Sequence, residues 1–152
     1  MQFRLRHCLA LTTLALVAAT AHAEQQITLV GQNDLRYSKS QLTAAPGERI
    51  RIKLINKSHL PASAMSHNWV LLKHGTDADA FDHAAQSASG NGYFPKSRAD
   101  QAIAHTDMVA GGKQDTVTFT APKKPGDYEY ICTFPGHFRA GMKGTLHVRA
   151  NP

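Results

Sequence analysis

The chain has 152 residues, 42% of them apolar, and a formal net charge of +6 with its nine histidines neutral. That length suits one domain able to bury its own core. The basic residues stand singly or in pairs such as Lys123-Lys124, which argues against a nucleic-acid-binding stripe and for a solvated, mildly basic surface.

Residues 1–23 carry Arg4 and Arg6, an apolar run from Cys8 to Ala19, and then Ala21-His22-Ala23. This is the pattern of a cleaved secretory signal peptide, with Glu24 the first mature residue. The run is about a dozen residues against the roughly 20 needed to cross a bilayer, so no membrane anchor is predicted. Cys8 lies too early in the run to be a lipid-bearing cysteine. The predicted folded domain is 24–152.

Beyond the leader, Cys132 is the only cysteine. Exported proteins ordinarily pair their thiols, so a lone one is buried and inert, joined to another chain, or bound to a metal. Taken by itself, a buried structural cysteine is the commoner case.

Alternating segments predict strands in QITLV, with Ile27 and Leu29, and in RIRIKLI, where Ile50, Ile52 and Leu54 oppose Arg49, Arg51 and Lys53. Further strands are expected in NWVLL (68–72), DTVTFT with Val117 and Phe119 inward, YEYIC (128–132), and GTLHV with Leu146 and Val148 inward. Pro46-Gly47, Lys57-Ser58, Gly111-Gly112 and Pro125-Gly126 punctuate them. Short strands at regular spacing without alternating long helices predict an all-β antiparallel sandwich. Residues 75–105 are the exception: DADAFDHAAQSA predicts a short helix started by Asp77 or Asp79, followed by a loop, as an insertion on one sheet edge.

Segment 132–142 reads CTFPGHFRAGM. It places a thiolate, an imidazole and a thioether, Cys132, His137 and Met142, on one loop between two predicted strands. This soft-ligand set suits copper, whereas calcium and magnesium want oxygen. A Met beside Gly is usually packing and a loop His usually solvated, but the three coincide around the only mature cysteine. A second histidine must come from elsewhere. His67, opening the apolar NWVLL strand, is the best placed. His59 and His74 sit at turns, His83 on the predicted helix, and His147 out of phase with Leu146 and Val148; His105 is ambiguous. Zinc is the alternative metal, since two His and one Cys also suit it. Pro135 lacks an amide donor and stiffens the loop.

SHNWVLL, IAHT and CTFPGH…MKGTL resemble the corresponding stretches of azurins and auracyanins, blue copper proteins of the cupredoxin family, and the likeness runs across the mature chain. It implies a Greek-key β-sandwich and one type 1 copper. His67, Cys132 and His137 would be the strong ligands and Met142 the long axial one. Asn68 would brace the two ligand segments by bonding the backbone at Thr133. The loop departs from azurins in having four residues between His137 and Met142, a spacing similar to auracyanins. Ser66 stands where azurins carry the glycine whose carbonyl faces the copper, and the azurin disulfide cannot form.

The resemblance implies a soluble, exported, monomeric electron carrier, periplasmic and not an enzyme. Its transient partners would be redox proteins such as c-type cytochromes or copper and haem reductases. They would dock on an apolar rim of Leu60, Pro61, Met65, Phe138 and Ala140, with Pro135 at its edge. Two other classes stay open: a copper storage or delivery protein, and part of a copper oxidoreductase system. The oxidoreductase would need further histidines in His-x-His pairs, which the chain lacks.

Overall fold

In β3 (Arg49–Asn56), the arginines at 49 and 51 face solvent while Ile50, Ile52 and Leu54 are fully buried. That alternation is what a pleated strand with one wet face requires. The computed structural model describes residues 23–150; the expected leader lies outside them except for its last residue. No helix among the described residues is long and apolar enough to cross a membrane.

The other strands are β1 (Gln25–Gly31), β2 (Gln41–Ala44), β4 (Val70–Leu72), β5 (Ala102–His105), β6 (Gln114–Thr120), β7 (Gly126–Ile131) and β8 (Lys143–Val148). They form two sheets, ordered β1-β3-β6 and β2-β8-β7-β4-β5. Between the sheets lies the main core, with Leu29, Ile50, Ile52, Leu54, Trp69, Leu71, Tyr130 and Leu146 buried in it. The sandwich is mixed and not purely antiparallel: β1 runs parallel to β3, and β2 parallel to β8. The cause is connectivity. After β1 the chain crosses to the other sheet for β2 before returning as β3, so β1 and β3 are not joined by a hairpin.

The insertion begins as the sequence suggests. Asp77 is the N-cap of α1 (Ala78–Gln86), its carboxylate accepting from the Ala80 amide at 3.0 Å. Its end differs from expectation, because Ala102–His105 is a strand, β5, paired antiparallel with β4 at the sheet edge. Two alanines in four residues hide this strand from an alternation test. α1 packs on the outer face of the five-stranded sheet, where Ala78 and Phe81 meet Val70, Leu72, Ile131 and Phe138. β4 is therefore buried on both faces, which explains why Val70, Leu71 and Leu72 are all apolar where a half-wet strand would alternate.

Candidate metal centre

His67 stands just before β4, held by a two-way backbone bridge to Val109 (N to O 3.0 Å, and Val109 N to His67 O 2.7 Å). Its ring lies against the backbone of Gly31 at the end of β1. A Cβ there would be 2.5 Å from His67 Cδ2, so only glycine leaves room for the imidazole. Asn56 supports the approach to His67: its Nδ2 donates to the carbonyls of Met65 (3.1 Å) and Val109 (2.9 Å).

Cys132 follows β7, and its amide donates to the Met142 carbonyl at 3.1 Å, closing the ligand loop at its base. Within the loop, His137 opens the single turn α2 (His137–Ala140), and the Met142 amide returns to the His137 carbonyl at 2.9 Å. Gly141 ends the turn in the left-handed region, φ 103°, a conformation that favours glycine. Arg36, from the β1–β2 connection, donates from Nη1 to the Ala140 carbonyl at 2.5 Å. It thereby ties the longer loop to that connection.

The two ligand segments are braced by side chains. The Thr133 amide donates to Asn68 Oδ1 at 2.8 Å, and Asn68 Nδ2 donates to Thr133 Oγ1 at 2.8 Å. Thr133 in turn donates to the Tyr93 carbonyl at 2.6 Å. The Asn68 and Thr133 groups are buried and satisfied, which makes the brace costly to break.

Inside this frame the Nδ1 atoms of His67 and His137 are 3.2 Å apart, and Cys132 Sγ is 3.6 Å from His137 Nδ1. All three residues are buried and their donor atoms lie within 4.8 Å of one another. Bonds of about 2.0 Å to nitrogen and about 2.3 Å to sulfur, opened by roughly 120°, put ligand atoms about 3.5–3.7 Å apart. The observed spacings are close to those around one ion. His67 Nε2 is buried without a well-formed hydrogen bond, beside the Gln32 carbonyl that favours its protonation. That is where a metal-bound imidazole places its remaining N–H.

Electrostatics point the same way. Burial pulls both imidazoles down to about 4, and for His137 the neighbouring His67 adds to the effect. Both are thus neutral ligands at pH 7. Burial pushes the Cys132 thiol up to about 12, against the opposing influence of the Asn68 and Phe134 amides. A cation replacing that proton relieves the buried thiolate of its isolation. Met142 is fully buried at the end of the same loop, and a buried thiolate beside two imidazoles is a donor set that suits copper.

The remaining histidines among the described residues lie outside this group. His59, His74 and His83 are exposed; His147 pairs with Asp127 at 2.7 Å; His105 stacks on Phe94 with centroids 3.8 Å apart. Ser66 is buried, its hydroxyl donating to the Ala62 carbonyl at 2.7 Å. Of the expected rim, Leu60 is 45% exposed, Pro61, Pro135 and Ala140 are exposed and Met65 is half-buried. Phe138 is not on it: at 6% exposure it packs beneath α1 with Phe81 and Ile131, because the insertion offers it an apolar pocket. Sequence reading missed Gly31, Arg36 and Asn56. The glycine closing the ITLVG strand was the one available signal.

Comparison with known proteins agrees with this geometry. Residues 24–149 match the family described as copper binding proteins, plastocyanin/azurin family. Auracyanin-B of Chloroflexus aurantiacus is 40% identical over 115 residues, 75% of this chain and 47% of that protein, so the match spans about half of that relative's length. Azurin-1 of Alcaligenes xylosoxydans xylosoxydans is 35% identical over 129 residues, 83% of this chain and 98% of its own. The solved auracyanin of Roseiflexus castenholzii superposes with a TM-score of 0.74 at 35% identity, covering 84% of this chain and 99% of that one. The buried two-histidine, one-cysteine pocket fits a single type 1 copper, and the chain belongs to the plastocyanin/azurin family of copper-binding proteins.

Proposed function

We propose that this protein is a one-electron carrier in which His67 Nδ1, His137 Nδ1 and Cys132 Sγ would hold one copper ion strongly and Met142 would hold it more weakly. The observation that carries this reading is the buried trio of donors, with His67 Nδ1 and Cys132 Sγ at 3.2 and 3.6 Å from His137 Nδ1. Copper, when bound, supplies a couple between one and two positive charges. The chain's own contribution is to resist movement. His67 is fixed by the Val109 bridge, Cys132 by β7 and the Met142 carbonyl, and the two segments by Asn68 and Thr133. A site that does not rearrange between charge states exchanges electrons with little reorganisation.

The 24–152 domain acts after export, with 1–23 as its cleaved leader and the periplasm as its place of work. The Ser66 carbonyl is a candidate for a distant further contact. Leu60, Pro61, Met65 and Ala140 form a small apolar surface of the size that suits brief docking by redox proteins such as c-type cytochromes or copper and haem reductases. The protein acts as a monomer and carries electrons without catalysing a reaction of its own.

Voltammetry of the copper-loaded domain tests the reading. A reversible one-electron wave with slow metal exchange is expected; a site that gives no reversible wave and surrenders copper readily to a chelator is a storage or delivery site instead.

A further inference from the structure

Tyr37 is an unexpected polar neighbour of the metal centre. It lies in the β1–β2 connection, held by an isolated bridge to Gly31 and by the Ser38 amide donating to the Val30 carbonyl at 2.8 Å. The side chain is 6% exposed, its ring edge-on to Tyr130 with centroids 5.5 Å apart. Ring packing alone would be served equally by phenylalanine. The hydroxyl does something more: it donates to the Asn68 carbonyl at 2.5 Å and lies beside the Cys132 thiol.

Asn68 is the residue that follows His67, and its side chain holds Thr133, the residue that follows Cys132. Its amide also faces the Cys132 sulfur. Tyr37 therefore adds a third segment, from the opposite end of the chain, to the two that carry the ligands. We propose that Tyr37 is a positioning residue of the copper centre: its hydroxyl, by fixing the Asn68 carbonyl, holds in place the residue whose amide faces the Cys132 sulfur, so that the copper–thiolate bond is weakened and the reduction potential raised. This rests on the copper-carrier reading above.

The direction follows from the charge on sulfur. Hydrogen-bond donors around a ligating cysteine withdraw electron density from it and tune the potential. Losing the hydroxyl frees the Asn68 carbonyl and so loosens the residue whose amide faces the sulfur. A weaker amide contact leaves the sulfur more electron-rich and the oxidised metal better stabilised.

The test is Tyr37→Phe in the copper-loaded protein, with Tyr128→Phe as a control. Tyr128 is also buried, but its hydroxyl donates to the Lys124 carbonyl at 2.8 Å, at the far end of β7 from Cys132. Tyr37→Phe should lower the reduction potential and move the copper–sulfur stretching bands in the resonance Raman spectrum to higher frequency. In the metal-free protein it should speed amide exchange at Asn68 and Thr133. Tyr128→Phe should change none of these. Replacing Tyr37 by 3-fluorotyrosine, a stronger donor of similar size, should shift the potential upward and covers the case in which the phenylalanine variant folds poorly. An unchanged potential and Raman spectrum in both Tyr37 variants, or an equal shift in the Tyr128 control, overturns the proposal. If the unaltered protein fails to form a copper–thiolate band at all, the parent reading has failed instead.

Discussion

The Nδ1 atoms of His67 and His137 face each other across 3.2 Å, room for one shared proton or one metal ion but not for two N–H groups. Burial holds both rings neutral down to about pH 4 and keeps the Cys132 thiol protonated up to about 12. At pH 7 the proton displaced by an entering ion is therefore the thiol's. Titrating copper into weakly buffered protein should release about one proton per ion, with affinity rising roughly tenfold per pH unit through neutrality. Binding that released no proton would contradict this assignment.

The same imidazoles set the acid sensitivity of the metal-free protein. Their ordinary value is 6.5 and the folded one about 4, so between these limits the unfolded chain binds more protons. Stability is complete above the upper value and is lost as pH falls through the window. The loss should be on the order of a few kcal/mol for the pair. Urea unfolding at pH 7 and pH 4.5 measures it, and coincident midpoints would show that the rings are not buried as described.

Gly31→Ala tests how His67 is seated. The added methyl would stand 2.5 Å from Cδ2 and 2.9 Å from Cγ of that ring, so the imidazole must move off its ligand position. Overpacking of this kind costs about 1–3 kcal/mol. Copper affinity should fall with it while the far-ultraviolet circular dichroism stays that of a β-sandwich. Wild-type affinity in the variant would mean that the strand end yields and the ring does not.

Phe138 separates packing from docking. It is 6% exposed and wedged among Phe81, Ile131 and Val70, so Phe138→Ala should destabilise the metal-free protein by about 3–5 kcal/mol. A surface-rim residue would change it by no more than about 0.5 kcal/mol. Chemical denaturation distinguishes the two.

What could be read from the sequence divides along the same line. Period-two alternation announced β3, β6 and β8, because each has one face in the core and one in water. The pairing of Cys132 with His137 was legible because both side chains come from one continuous segment, and His67 because its apolar strand allowed few rivals. β5 was hidden by its alanines and β2 by its length of four residues. Parallel pairing of β1 with β3 depends on a crossover that no local pattern records. The supports of the site, Gly31, Arg36 and Asn56, act across 36, 104 and 53 positions of chain to His67, Ala140 and Val109 respectively. Nothing near them in sequence tells of those partners. Phe138 was misplaced for a related reason, since its cover is supplied by α1, an insertion whose docking face could not be read locally.

The central claim is that a copper ion binds through the Cys132 sulfur between the two imidazoles. It is tested most directly by adding cupric ion to the purified domain and to its Cys132→Ser variant and recording visible absorption. The account predicts an intense blue sulfur-to-copper charge-transfer band at one ion per chain in the parent protein, and its complete loss in the variant. A colourless parent complex, or a band that survives the loss of the sulfur, would contradict it.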